Sequence, residues 1–127
     1  MENKWSGIRV KGCRIRNLGR PAVFLIPWRE LRCRMDDGRT VEEALHEYLD
    51  NEFGAYTTSL IPQFGLWRNA DRKVEIDKCC QYEVAFCGKE RIAPLIKFLT
   101  NICRAIGEDC LYFKAGQYAC TIEPEDE

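Results

Sequence analysis

The sequence predicts an α+β fold in which strands of an antiparallel sheet alternate with two amphipathic helices. Three observations predict it: one nearly continuous apolar run of strand length, two stretches with apolar residues at helical spacing, and several segments in which apolar and polar residues alternate. The predicted order is β–α–β–β–α–β, preceded by an extra N-terminal strand. A chain of 127 residues can bury its own core, so we predict a single domain over residues 1–127.

The first strands are predicted from two runs near the N-terminus. The run AVFLIPW, from Ala22 to Trp28, is apolar almost throughout, which is typical of a central strand, and Pro27 marks its end. Upstream, GIRVKGCRIRN (residues 7–17) alternates apolar and basic residues and predicts an edge strand, with Gly12 as a bulge. We therefore assign residues 1–20 to a basic N-terminal strand region.

The clearest helix follows in DDGRTVEEALHEYLDNEFG. Thr40 and Glu43 form a capping-box pattern at its start, and Gly54 ends it. His46 falls on the charged face of this helix, so we interpret it as a solvated surface residue. The apolar stripe that predicts the buried face consists of Val41, Ala44, Leu45, Tyr48, Leu49 and Phe53.

The second half of the chain repeats the pattern. AYTTSLIPQFGLW is extended, RNADRKVEID is a loop, and KCCQYEVAFC is a strand with alternate residues on two faces. A second striped helix then tolerates Pro94 near its first turn and ends at Gly107. CLYFKAGQYACTIEP closes the sheet, with Ala115-Gly116 as a turn that would split it into a hairpin, before an acidic tail at 123–127.

Two β-α-β units in this order define the ferredoxin-like arrangement, with both helices on one face of the sheet. Several predicted strands carry apolar residues on both faces. We therefore expect another copy of the chain to cover the open face, in a homodimer or homotrimer.

The cysteines and the apolar runs indicate where the protein resides. No C-x-x-C occurs and His46 is the single histidine, so no zinc pattern forms and we expect no metal or cofactor. No apolar run approaches the roughly 20 residues that span a bilayer, and the N-terminus lacks an apolar signal region. We expect a cytoplasmic protein with reduced, mostly buried thiols. The eight cysteines are Cys13, Cys33, Cys79, Cys80, Cys87, Cys103, Cys110 and Cys120.

Charge is divided unevenly along the chain. Residues 1–35 carry nine Lys and Arg against Glu2 and Glu30, whereas the whole chain has a net charge of −1. A basic strand can follow the phosphates of a nucleic acid, although solvated charges on an edge strand explain the same pattern. The candidate nucleic-acid residues are Arg9, Lys11, Arg14 and Arg16.

The segment GLWRNADRKVEIDKCCQYEVAF, residues 65–86, is the candidate site. It is either a solvated hairpin or the wall of a cleft with an aromatic platform, a guanidinium and a carboxylate. Cys79 and Cys80 point to opposite faces of a strand, and no second histidine is present to activate a thiol. The candidate ligand-binding residues are Trp67, Arg68, Tyr82 and Tyr56, and the candidate catalytic residue is Glu75.

The spacing over residues 54–120 also supports a resemblance. GAYTTSLIPQFGLWRN, VEIDKCCQYEV and GEDCLYFKAGQYACTI resemble small uncharacterised bacterial and phage proteins that look ferredoxin-like. More distantly, they resemble the phage S-adenosylmethionine lyases, once called hydrolases, over about half of the chain. In that family a Gly-x-Tyr-Arg segment precedes a loop and then a glutamate. In this sequence Trp67 occupies the position of the tyrosine, and Glu75 or Asp77 occupies the position of the glutamate.

That resemblance implies trimers with sites between subunits, in which the glutamate and a tyrosine act on S-adenosylmethionine. Three functions therefore remain open. The first is a small oligomeric protein that binds a partner or a small ligand, such as an adenosyl compound, between subunits. The second is a lyase-like enzyme with Glu75 in its site. The third is a protein that binds nucleic acid through its basic N-terminal strand.

Overall fold

The computed structural model describes residues 5, 7–59, 63–68 and 71–126, and for Gln63, Trp67 and Glu75 it describes the backbone alone. Two short 3-10 helices, Trp28–Arg32 and Lys89–Arg91, each precede one of the two α-helices in the chain. The helices are α1 (Val41–Phe53) and α2 (Ile92–Ile106), and the strands are β1 (Arg20–Pro27), β2 (Thr57–Thr58), β3 (Gln63–Arg68), β4 (Val74–Phe86), β5 (Leu111–Ala115) and β6 (Tyr118–Ile122).

The six strands form one antiparallel sheet in the order β2–β4–β1–β5–β6, and β3 pairs with β4 beyond β2. β1 lies inside the sheet, as its apolar run predicts. It pairs with β4 from Arg20 opposite Phe86 to Pro27 opposite Cys79, and with β5 on its other edge. The protein is therefore a mixed α/β protein with a six-stranded antiparallel sheet and two helices.

Both helices begin and end where the sequence predicts. The Thr40 hydroxyl accepts a hydrogen bond from the Glu43 backbone N–H at 3.1 Å, which satisfies a donor that the first turn of α1 leaves open. Gly54 ends α1 and Gly107 ends α2, both in the left-handed conformation. Pro94 lies in the first turn of α2, where its missing N–H would have no partner within the helix.

The core lies between the two helices and one face of the sheet. Phe24 on β1 and Tyr82 on β4 stack face to face in it, with ring centroids 5.4 Å apart. Tyr82, like its strand neighbours Cys80 and Val84, points to the helices, which confirms the alternation predicted for β4.

 

The largest side chains with no exposed surface are Phe24, Ile26, Leu45, Leu49, Leu95, Leu99 and Ile102. They come from the central strand and from the inward stripes of α1 and α2. The core is therefore built from the residues whose spacing predicts it.

The predicted N-terminal strand is wrong. Residues 7–19 form no strand, and each of them is exposed. The reason is local: the Cys13 N–H donates to the Val10 carbonyl at 3.1 Å, and Gly12 adopts a left-handed conformation with φ of 78°. Gly12 thus makes a turn rather than a bulge, so the alternation of basic and apolar residues continues on no single strand.

Two hairpins extend the sheet beyond its central strands. β5 and β6 pair from Leu111 opposite Ile122 to Ala115 opposite Tyr118, so the extra strand is at the C-terminal edge of the sheet. β4 begins at Val74, earlier than its predicted start near Cys79, because β3 pairs along the segment that the sequence predicts as loop. The predicted extended segment around 60–62 lies outside the described residues.

The cysteines are less buried than predicted. Cys79, Cys80 and Cys103 are buried, whereas Cys13, Cys87 and Cys120 are exposed. The exposed ones lie on the N-terminal segment, at the end of β4 and on the edge strand β6. Within the described part of the chain, no helix has both the length and the apolar character needed to cross a bilayer.

Candidate functional site

A cleft of about 510 Å³ lies beside the first half of α1, between that helix and the edge of the sheet formed by β2 and β4. Its volume is within the range of about 300–1,000 Å³ that is usual for small-molecule sites. The 3-10 helix Trp28–Arg32 forms a further wall. The polar and aromatic side chains that line it include Trp28, Arg32, Glu42, His46, Tyr56 and Tyr82.

The helical wall of the cleft carries three polar side chains on one face. Glu42 and Glu43 lie one turn before His46, at the i,i+4 and i,i+3 spacings that place side chains together. The prediction that His46 is exposed is confirmed. Its interpretation as merely solvated missed the cleft, although this spacing to two carboxylates was a signal in the sequence.

A pair of tyrosines forms the centre of the cleft. The Tyr56 hydroxyl lies 2.9 Å from His46 Nδ1, and the two rings meet edge to face. The Tyr56 ring centroid is 5.9 Å from that of Tyr82, which lies on the floor against Phe24. Burial, followed by the nearby carboxylates of Glu42 and Asp50, raises the pKa of Tyr56, so its hydroxyl is protonated near neutral pH.

The floor of the cleft is protected from ionisation. Burial raises the pKa of Tyr82 strongly, and its side chain is only 3% exposed. Next to it on the same face of β4, Cys80 Sγ lies 3.0 Å from the Thr58 hydroxyl and donates to the Ser59 carbonyl at 3.4 Å. These contacts join β2 to β4 and leave a neutral, apolar floor.

The chemical character of the cleft follows from this arrangement. Its walls offer the faces of Trp28 and Tyr56, the carboxylates of Glu42 and Glu43, and the guanidinium of Arg32. Such a set suits a ligand that combines a cation, an anion and a flat apolar group. Within the described residues, no three His, Cys, Asp or Glu side chains gather where they would hold a metal ion.

The structure brings together only some of the predicted site residues. Tyr56 and Tyr82 both line the cleft. Trp67 and Glu75 are opposite each other on β3 and β4, in the hairpin that extends from the sheet, and their side chains lie outside the described part of the structure. Glu75 precedes Tyr82 by seven residues on one strand, a separation of roughly 23 Å at the usual rise of a strand.

Two further predicted groups also lie on the hairpin. Arg68 is exposed, and its Nη1 donates to the Arg72 carbonyl at 3.2 Å across the turn. Asp77, the alternative to Glu75, is half-buried and lies 3.6 Å from the guanidinium of Arg29. At the usual rise of a strand, both residues lie too far along the hairpin to reach Tyr56 and Tyr82 within one copy of the chain.

The candidate nucleic-acid residues lie on the exposed N-terminal segment and do not line the cleft. Arg9, Lys11 and Arg14 line a second concavity of about 570 Å³, and Arg16 follows on the same segment. The two concavities share no lining residue. They are separate features of the molecule.

Comparison with known proteins adds information on the fold. No protein-family profile and no curated protein sequence matches this chain. A solved phage S-adenosylmethionine lyase in complex with S-methyl-5'-thioadenosine is similar in structure, with a TM-score of 0.59, 11% sequence identity, and coverage of 93% of this chain and 99% of the lyase. A phage S-adenosylmethionine lyase in its apo state gives a TM-score of 0.55 at 12% identity, covering 91% and 99% of the two chains.

These similarities define the class of fold. The chain shares the architecture of these two phage S-adenosylmethionine lyases over nearly its whole length. At 11–12% identity, the likeness concerns the fold and not the activity.

Proposed function

We propose that the cleft beside α1 binds an adenosyl sulfonium, and that the protein acts on S-adenosylmethionine as a lyase. The observation that carries the proposal is the tyrosine pair Tyr56–Tyr82, set in a cleft with two carboxylates. A fold shared with proteins named as S-adenosylmethionine lyases, one of them holding S-methyl-5'-thioadenosine, supports it. We also propose that the sheet is a variant of the ferredoxin-like arrangement, with β6 added at its edge.

The groups of the cleft match the groups of this substrate. A sulfonium is attracted to aromatic faces such as those of Trp28 and Tyr56, by about 0.5–2 kcal/mol depending on how far it is desolvated. Glu42 and Glu43 complement the ammonium and the sulfonium, and Arg32 complements the substrate carboxylate. These contacts would hold the amino-acid part of the substrate against the helix.

The reaction also suits an apolar floor. Release of S-methyl-5'-thioadenosine breaks the bond between sulfur and the amino-acid chain, and the electron pair of that bond goes to sulfur, which becomes neutral. The substrate's own carboxylate can form the new bond to the carbon that sulfur leaves, so that no water or cofactor enters. Opposite charges vanish in this step, and a site of low polarity around Tyr82 favours it over water.

The proposal includes a role for the hairpin in an oligomer. One face of the hairpin exposes Phe64, Leu66, Val74 and Ile76, with exposed fractions of 47–70%. Burying that surface against a second copy would stabilise a homodimer or homotrimer. Such an assembly would bring the hairpin that carries Trp67, Arg68 and Glu75 next to a neighbouring copy, and we propose Glu75 as the catalytic carboxylate that orients the substrate there.

The test is an incubation of the purified protein with S-adenosylmethionine, with mass spectrometry for S-methyl-5'-thioadenosine. We expect product from the parent and at least tenfold less from Tyr56→Ala and Glu42→Gln. Glu52→Gln, at the other end of α1 and outside the cleft, is the matched control and keeps full activity. Equal loss in the control, or product that does not depend on the cleft residues, contradicts the assignment.

The same samples distinguish the alternative of a binding protein without activity. A ligand that binds only the folded state raises the melting temperature. A shift with S-adenosylmethionine or S-methyl-5'-thioadenosine, lost in Tyr56→Ala and without product, would indicate a binding protein. If the protein shows neither a thermal shift nor any product, the proposed function is refuted.

A further inference from the structure

The N-terminal segment has a composition and a shape that the cleft does not explain. Between residues 5 and 19 the sequence contains no Asp or Glu, and every described residue of the segment is exposed. Two turns fold it back on itself: the Ile8 N–H donates to the Trp5 carbonyl, and the Cys13 N–H to the Val10 carbonyl, each at 3.1 Å. The basic side chains are therefore presented by a folded surface.

These turns place an aromatic ring and several cations around one concavity. The concavity of about 570 Å³ is lined by Trp5, Arg9, Lys11, Arg14 and Asn17, together with apolar side chains. Trp5 has 45% of its surface exposed. The strand predicted from the sequence would have lacked an aromatic side chain near its basic residues, whereas the turn at 5–8 supplies one.

We infer that this concavity binds single-stranded nucleic acid. Proteins bind single strands by combining a positively charged groove, which follows the phosphates, with aromatic side chains on which bases stack. Arg9, Lys11 and Arg14 supply the first, Trp5 supplies the second, and Asn17 can hydrogen-bond a base edge. Residues 7–19 contain neither a helix nor a strand pair to enter a major groove, which favours a single strand over a duplex.

The segment is built so that its binding can be tested without unfolding the body of the protein. It joins β1 at Gly19, and none of its described side chains belongs to the core. Substitutions of Trp5 and of the basic side chains are therefore expected to leave the melting temperature unchanged. The inference is independent of the proposed lyase activity, because the two concavities share no residue.

The experiment measures the fluorescence anisotropy of labelled twenty-nucleotide oligo(dT) and oligo(U) with the full chain. Phosphate contacts from Arg9, Lys11, Arg14 and the adjacent Arg16, at about 0.7 released counterions each, predict that affinity falls roughly 50-fold between 50 and 200 mM salt. A preference for one oligonucleotide identifies DNA or RNA as the ligand. Absence of binding to both at 50 mM salt overturns the inference.

Two sets of variants locate the site. Arg14→Glu with Arg16→Glu is expected to abolish binding, whereas Lys89→Glu with Lys97→Glu changes the net charge equally on an exposed face at α2 and is expected to weaken it far less. Trp5→Ala should weaken binding by at least about fivefold, the loss of one stacked base. Equal weakening by both charge reversals, or binding to anionic lipid vesicles without binding to either oligonucleotide, overturns the inference.

Discussion

His46 on α1 and Tyr56 in the segment after it are joined by a contact of 2.9 Å between His46 Nδ1 and the Tyr56 hydroxyl. The contact holds the Tyr56 ring between His46 on the wall of the cleft and Tyr82 on its floor. An exposed histidine thereby determines the position of a tyrosine that the sequence places in the site.

The first prediction concerns this contact. Tyr56→Phe removes the hydroxyl and keeps the ring, so we expect the free energy of unfolding to fall by about 1 kcal/mol or less. Tyr56→Ala also removes the aromatic face, and we expect it to abolish the thermal shift with S-adenosylmethionine. Urea unfolding and thermal-shift measurements on both variants check this. If Tyr56→Phe loses as much free energy of unfolding as Tyr56→Ala, the prediction is contradicted.

The second prediction concerns alkaline pH. Burial raises the pKa of Cys79 from 9.0 to about 11 and that of Cys103 from 9.0 to about 12. Since the folded state holds these thiols protonated, their contribution to stability is complete below about pH 9 and is lost as the pH rises towards 11–12. The Cys79 shift corresponds to about 3 kcal/mol.

Urea unfolding between pH 7 and pH 10 measures the first part of this loss, which begins near pH 9. Cys79→Ala should flatten the dependence of unfolding free energy on pH, because its thiol no longer titrates. Cys87→Ala, at an exposed cysteine, is the matched control and should leave the dependence as it is. An unchanged slope in Cys79→Ala would show that its burial does not control the alkaline limit.

The third prediction concerns the reactivity of the thiols. Cys13, Cys87 and Cys120 are exposed and should react rapidly with a thiol reagent at pH 8. Cys79, Cys80 and Cys103 should react only after unfolding, when eight thiols in total become reactive without added reductant. Fewer than six thiols in denaturant would indicate disulfides and contradict the prediction of reduced cysteines.

The fourth prediction concerns the entry to the sheet at Gly19. Its φ is 93°, and a Cβ there would lie 2.0 Å from the Phe86 carbonyl oxygen, so Gly19→Ala requires the backbone to move. We expect a clear loss of thermal stability. Gly12→Ala, with φ of 78° but no atom within 4 Å of its Cβ, is the matched control, and an equal loss there would mean that the contact with Phe86 is not the cause.

The fifth prediction concerns assembly. Leu66→Lys and Ile76→Lys place charge on the apolar face of the hairpin, so we expect them to prevent the proposed dimer or trimer from forming in sedimentation equilibrium. Tyr118→Lys, at a side chain that is 72% exposed on the opposite edge strand, is the matched control and should preserve the assembly. A parent that is a stable monomer at micromolar concentration would rule out the hairpin as an interface.

The sequence predicts those parts of the fold that depend on local chemistry. The Thr40 cap, the stop at Gly54 and the central position of β1 follow from hydrogen-bonding groups and from an apolar run that must be buried on both sides. The prediction of an N-terminal strand fails because the alternation of apolar and basic residues does not by itself supply a pairing partner. A strand needs a neighbour, and no neighbouring segment is specified by residues 7–17 themselves.

The candidate site is predictable only in part for a related reason. Tyr56 and Tyr82 are distant in sequence but are brought together by the pairing of β2 with β4, from which the position of the cleft follows. His46 belongs to the polar face of a helix, and the sequence of that helix alone does not determine what lies across from it. Which polar face borders a cleft is set by tertiary packing.

The central position of β1 has a consequence for synthesis. Its partner β4 ends at Phe86 and its other partner β5 begins at Leu111, so both edges of an apolar strand at residues 20–27 stay open while most of the chain is translated. The sheet can close only after the C-terminal hairpin has left the ribosome, and contacts of such long sequence separation form slowly. Until then the nascent chain exposes an apolar strand with open edges, a feature that favours aggregation and chaperone binding.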